Sequence, residues 1–194
     1  VTGAMGLVAF AVAVMRDPVR MRRILAFLDP EQYARDEAFQ LLNAIYAFVV
    51  GGGRGVGLGR SLQKHFYLPE AHTDFIFAII GEELGMAGSL LVVVLYGGIF
   101  LCGLRISTHA ADAFGRLTAF GLTVMITLQA VINIGVVTGC LPTKGLPLPV
   151  ISFGGSSLVI SLVMVGLLIG VARTAVMDEH EKTARHIGDR VHRF

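Results

Sequence analysis

Ionisable residues are sparse in this chain, and the few that interrupt its apolar stretches are where chemistry can happen. Asp74 stands where a polar stretch gives way to an apolar one, in LPEAHTDFIF. At a helix start an aspartate accepts free backbone N–H groups as an N-cap, and the helix dipole favours its ionised form. A carboxylate at the mouth of a cavity can also take a proton from a hydroxyl or ligate a divalent cation. The two uses are compatible. Lys144 stands alone between two long apolar runs, in LPTKGLPLP. The prolines force extended, irregular backbone, which is tolerated at membrane depth only against protein or a wet cavity. A lysine there is either an interfacial anchor or a point charge for a phosphate. The segment ISFGGSS follows directly. Its glycines permit a tight turn, its serines can cap the next helix, and with Lys144 that helix start makes an anion site.

Other polar residues carry weaker signals. Glu82 and Glu83 lie about 12–13 Å along a helix from Asp74 and point elsewhere, so they cannot pair with it on one helix. Such residues either serve function inside the membrane or lie near its surface, paired or snorkelling. The run GGGRGVGLGRS (51–61) lacks a preceding strand and a Gly-Lys-Ser/Thr ending, so it reads as a flexible loop bringing Arg54, Arg60 and Lys64 near lipid headgroups rather than as a nucleotide loop. Gln129 and Asn133, one helical turn apart, read as glue between helices. His180, His186 and His192 lack metal-ligand spacing. Cys102 and Cys140 fall near opposite ends of spans and should not pair with each other.

The elements that position these residues belong to a membrane. Hydrophobic residues make up 54% of the 194 and charged residues 15%, against about 25% charged in a soluble domain. The mean hydropathy is +0.71. A net charge of +2 is no nucleic-acid footprint. Uncharged runs at 84–104, 117–140 and 145–172 are each long enough for a core of about 30 Å. The prolines and Gly154-Gly155 break the first third of the last run, so its regular helix should begin near Ser156. Residues 1–15 are uncharged and apolar without a signal-peptide pattern, and are expected to be the tail of a further span whose beginning is missing. The predicted order is therefore a truncated span (1–15), a long polar loop (16–73), a span entered at Asp74 (74–104), a short loop (105–116), a span (117–140), a second loop (141–155), a last span (156–172) and a charged tail (173–194). The uncharged stretch 38–53 is short for a span and reads as an interfacial or re-entrant helix. A two-helix hairpin from Asp74 returns the chain by Cys140, so Asp74 and the Lys144 loop face one compartment by parity.

Three segments resemble a known family. GLGRSLQKHFYLPEAHTDFIFAIIGEELGMAG (57–88) looks like the loop-to-helix signature of the SEDS proteins of shape, elongation, division and sporulation. LPTKGLPLPVISFGGSS (141–157) resembles their second signature, and RRILAFLDP (22–30) is similar to a third stretch. Thr143-Lys144-Gly145 and the PEAHTD and IIGEE runs resemble the cell-division branch. Pro147 departs from it, since a threonine is often found there. The resemblance implies the C-terminal part of a ten-helix, all-α polytopic protein of the cytoplasmic (inner) membrane at the division septum. About four membrane helices would be present, with both signature loops outside and the tail inside. It implies a peptidoglycan glycosyltransferase that polymerises lipid II into β-1,4 glycan strands, releasing the lipid pyrophosphate. Asp74 matches the family's essential aspartate, expected to activate the acceptor hydroxyl, with a divalent cation (magnesium or manganese) as an option and no organic cofactor. Lys144 falls on another important position, suited to balancing pyrophosphate charge. Thr143, Glu70, His72 and Ser156 complete the expected substrate-binding set. Implied partners are lipid II, the nascent glycan, a class B penicillin-binding transpeptidase, other division proteins and membrane lipids. A lipid II flippase and a scaffold recruiting a transpeptidase are the alternative activities.

Overall fold

The computed structural model describes residues 38–61 and 73–191, with Met21, Leu25 and Phe27, and side chains as far as Asp178. Five helices of eight residues or more lie among them: α1 (Phe39–Gly51), α2 (Ile76–Glu83), α3 (Gly85–His109), α4 (Ala113–Val137) and α5 (Gly155–Val191). The described residues contain no strand. Three helices are long and apolar enough to cross a bilayer: α3, α4 and Gly155–Asp178 of α5, with mean hydropathies of 2.2, 2.0 and 2.3. Their outward faces carry exposed apolar side chains such as Leu90, Leu101, Leu128 and Ile169. That is the pattern of a chain whose solvent is lipid, with every backbone group satisfied inside a helix. The segment 1–15 lies outside the described residues. Helix α1 has 13 residues, about 20 Å at 1.5 Å per residue, short of the hydrocarbon thickness.

The chain divides into two compact units, 1–89 with 132–148, and 90–131 with 149–194. In the first, α1 packs on α2, burying Leu41, Ala44, Ala47 and Gly51 along one stripe of α1 and Phe77, Ala78 and Ile79 on α2. The rings of Phe48 and Phe77 meet at 5.7 Å between centroids, tilted by 58°. In the second, Gly103 of α3 lies against Thr123 of α4, where an added Cβ would come 2.1 Å from the Thr123 Oγ1. The hydroxyls of Thr123, Thr127 and Ser161 donate to carbonyls one turn back, at 2.7, 2.7 and 2.8 Å, so none remains bare toward lipid. Asp112 starts α4 by accepting the Gly115 N–H at 3.2 Å.

Three sequence expectations change. The single helix expected over 74–104 is two, because the chain breaks at Leu84 and Gly85 takes a φ of +69°. The charged tail 173–194, expected to be distinct from the last span 156–172, continues it as one helix, since α5 runs without interruption to Val191. The glycine run is not merely a flexible loop. Its backbone closes the break: Val56 and Gly57 N–H donate to the Glu82 and Glu83 carbonyls, both at 3.0 Å, and Met86 N–H donates to the Gly52 carbonyl at 2.9 Å. These are groups that a helix end leaves without intrahelical partners. Beneath them Glu82, 1% exposed, accepts a hydrogen bond from the equally buried Ser61 hydroxyl.

Gly85 is where the break is most demanding. An added Cβ would meet the Gly55 N at 2.4 Å and Arg54 backbone atoms at 2.9 Å, and the left-handed φ itself costs a side chain about 1–2 kcal/mol. Gly85→Ala is expected to destabilise the full-length protein by about 3 kcal/mol or more. Gly97→Ala, on the same helix with open space around it, is expected to be neutral or slightly stabilising. Thermal unfolding of both purified variants in one detergent checks the contrast.

Candidate functional site

The site lies in the first unit and is built from two chain reversals. Before α2, residues 73 and 74 form a turn. The N-cap is Phe75, with φ −110° and ψ 19°, and its carbonyl accepts the Ala78 N–H at 3.0 Å. Asp74 therefore precedes the cap position it was expected to occupy. The physical reason is that its own carbonyl is engaged elsewhere: Asn133 Nδ2 donates to it at 2.8 Å.

The second reversal follows α4. Gly139, with φ +76°, ends the helix in the left-handed conformation usual at a C-terminus, and Cys140 and Leu141 N–H groups both return to the Gly135 carbonyl at 2.7 and 2.9 Å. The chain then runs out as irregular backbone. Leu146 N–H donates to the Lys144 carbonyl at 2.9 Å, a three-residue turn with Gly145 at its centre. The Leu146 carbonyl in turn accepts Asn133 Nδ2 at 2.5 Å. Leu148, fully buried, anchors the far end.

One amide thus holds both reversals, and their tips meet. An added Cβ on Gly145 would lie 2.8 Å from Asp74 Oδ2, so the carboxylate rests in the space a side chain would fill. Asp74 and Thr143 are half-buried, and Lys144 is exposed beside them in sequence. The arrangement presents a carboxylate next to a lysine-bearing turn, with a glycine at the point of contact. Such a pairing can accept a proton on one side and face an anion on the other.

Of the other expected site residues, Glu70 and His72 lie outside the described residues. Ser156 is exposed in the first turn of α5, in the second unit. That unit holds its own part of the second signature. There the Tyr96 hydroxyl donates to the Pro149 carbonyl, Ser152 is buried, and Val150 takes a φ of +68°, a conformation costly for a β-branched residue. No group of three His, Cys, Asp or Glu side chains converges among the described residues. Cys102 and Cys140 are both free thiols. Sequence reasoning missed the central role of Asn133. It sits 59 positions from Asp74, and nothing local marks it apart from Gln129 one turn earlier.

The profile of the FtsW/RodA/SpoVE cell cycle proteins matches residues 1–176. The chain belongs to this family. It is 48% identical over 172 residues to the "Probable peptidoglycan glycosyltransferase FtsW" of Hahella chejuensis, a match covering 87% of this chain and 43% of that protein. It is 46% identical to the stage V sporulation protein E of Bacillus subtilis, over 88% of this chain and 47% of that one. Among solved structures, a chain of a peptidoglycan synthase complex that coordinates polymerisation and crosslinking is similar, with a TM-score of 0.68 and 29% identity over 89% of this chain and 48% of that chain. The rod shape-determining protein RodA of Thermus thermophilus, solved as an aspartate-to-alanine mutant, has a TM-score of 0.53 and 33% identity over 66% of this chain and 39% of that chain. The chain spans about half the length of the relatives it matches.

The contact between Gly145 and Asp74 yields a sharp expectation. Gly145→Ala leaves α2 and α4 intact, because residue 145 is an exposed loop position, but it must push the carboxylate aside. A displacement near 1 Å at a reacting group costs about a hundredfold. If the carboxylate is a reacting group, the activity of the full-length variant is expected to fall about tenfold to a hundredfold at unchanged thermal stability. The paired measurement is turnover against melting temperature.

Proposed function

We propose that this chain is the loop-bearing half of a peptidoglycan glycosyltransferase that polymerises lipid II in septal wall synthesis. The observation that carries the reading is the meeting of the Asp74 carboxylate with the Lys144–Leu146 turn. Polymerisation joins a sugar hydroxyl of one chain to C1 of a sugar held on lipid pyrophosphate. The new C1–O bond forms as the C1–phosphate oxygen bond breaks. The hydroxyl proton passes to the Asp74 carboxylate, acting as general base, and the pyrophosphate departs on its lipid carrying the bonding pair. The charge gathering on the leaving phosphate is what Lys144 compensates. A divalent cation, where bound, would be held on the protein side by Asp74 and would supply positive charge to the pyrophosphate.

The named activity of the FtsW relatives supports the reading. The similar chain in a synthase complex that couples polymerisation to crosslinking supports a crosslinking partner, here proposed as a class B transpeptidase. Placement at the septum follows the division relatives and is part of the same proposal. A flippase or a recruiting scaffold would make no glycan, so polymerisation of lipid II by the purified full-length protein with its transpeptidase separates the classes.

Two substitutions test the roles. Asp74→Asn keeps size and removes the base. It is expected to abolish glycan synthesis while the protein still inserts and purifies as wild type, and near-normal synthesis would remove Asp74 from the chemistry. Lys144→Ala is expected to cost about 2–4 kcal/mol in the transition state, roughly thirty- to a thousand-fold in rate, and Lys144→Arg less, because charge is kept although shape is not. If Lys144→Ala keeps more than about a third of the wild-type rate, under roughly 0.7 kcal/mol, the lysine is an interfacial anchor.

A further inference from the structure

Asn133 stands out among the buried polar groups because its bonds serve no helix–helix contact. It is 1% exposed. Its Nδ2 donates to two main-chain carbonyls, those of Asp74 at 2.8 Å and Leu146 at 2.5 Å. An amide nitrogen has two protons, so its donor capacity is spent on these two loops. Its Oδ1 is equally buried and has no hydrogen-bond partner. A buried acceptor left bare costs about 1–3 kcal/mol. The side chain therefore carries a penalty on one side while joining, on the other, the two segments that bear Asp74 and Lys144.

We propose that Asn133 is a positioning residue for glycosyl transfer: it sets the separation of the Asp74 carboxylate from the Lys144 turn by holding the main chain of both. The proposal rests on the functional reading given above. The geometry is specific to an amide of this length. Alanine leaves both carbonyls bare and a small void. Aspartate keeps the shape but, ionised, turns a donor into an acceptor facing two carbonyl oxygens. Neither variant removes a group that touches substrate, so loss of activity would come through misplacement of Asp74 and of the turn.

The test uses the full-length protein with its transpeptidase partner and two readouts. The first is kinetic. Asn133→Ala and Asn133→Asp are expected to lower kcat for lipid II polymerisation by about tenfold to a hundredfold, the scale of a misplaced reacting group, with KM changed less than about threefold. The second is independent of activity. With Cys102 and Cys140 replaced by serine, the pair Asp74→Cys and Gly145→Cys should cross-link under mild oxidation, because a Cβ at 145 lies 3.8 Å from the Asp74 Cγ. Adding Asn133→Ala should cut the cross-linked fraction at least fivefold.

Unchanged cross-linking together with unchanged kcat overturns the proposal and leaves the role of Asp74 untouched. Loss of cross-linking at full activity sinks the catalytic reading of the two loops and retains Asn133 only as a loop tether. If neither Asn133 variant yields monodisperse protein, the amide is a folding element and the positioning role is wrong.

Discussion

The site depends on one side-chain amide reaching two backbone carbonyls from distant parts of the chain. Irregular backbone cannot satisfy itself as a helix does. At membrane depth an unpaired carbonyl is expensive, so loops there persist only if something from the helices meets them. Asn133 is that group for both reversals. It is placed near the end of a span, where a helix side chain can reach the loops flanking the helix end. The site is therefore positioned by the rigid part of the fold and displayed by the irregular part, the usual division of labour between scaffold and loop.

A second constraint operates around the break between α2 and α3. There the partners are backbone and backbone, with glycines allowing the approach. An added Cβ at Gly51 would come 2.0 Å from the Gly81 carbonyl oxygen. The N–H groups of 56 and 57 complete the end of α2 and the carbonyl of 52 completes the start of α3. The buried Glu82 and Ser61 close the same region. Asp74 thus precedes a helix whose far end is also fixed, so the short α2 is held at both termini.

The spans were legible because hydropathy is a property of composition over about twenty residues. The three long helices lie where the uncharged runs predicted, although α3 ends beyond Leu104, at His109. Asp74 and the Lys144 turn were legible as polar residues in apolar surroundings, and span parity put both in one compartment; that they meet at Gly145 came from the structure. Other features depended on tertiary context. Gly85 looks in sequence like any glycine in a membrane helix, and only its φ and its neighbours make it a break. Asn133 looks like Gln129, since periodicity puts both on α4 but says nothing of which loops lie within reach. The cap at Phe75 rather than Asp74 follows from a hydrogen bond to a residue far along the chain, which local capping preferences do not contain.

The uninterrupted length of α5 has a mechanical consequence. Its 37 residues extend about 55 Å, nearly twice the hydrocarbon thickness. Its apolar stretch, Gly155–Asp178, ends well before its C-terminus, so the apolar stretch and the charged tail form one stiff arm. The N-terminal end of that arm adjoins the second signature, with its strained Val150 and the tie from Tyr96. Torque or tilt applied to the charged end is carried along the hydrogen-bonded rod instead of being absorbed by a hinge.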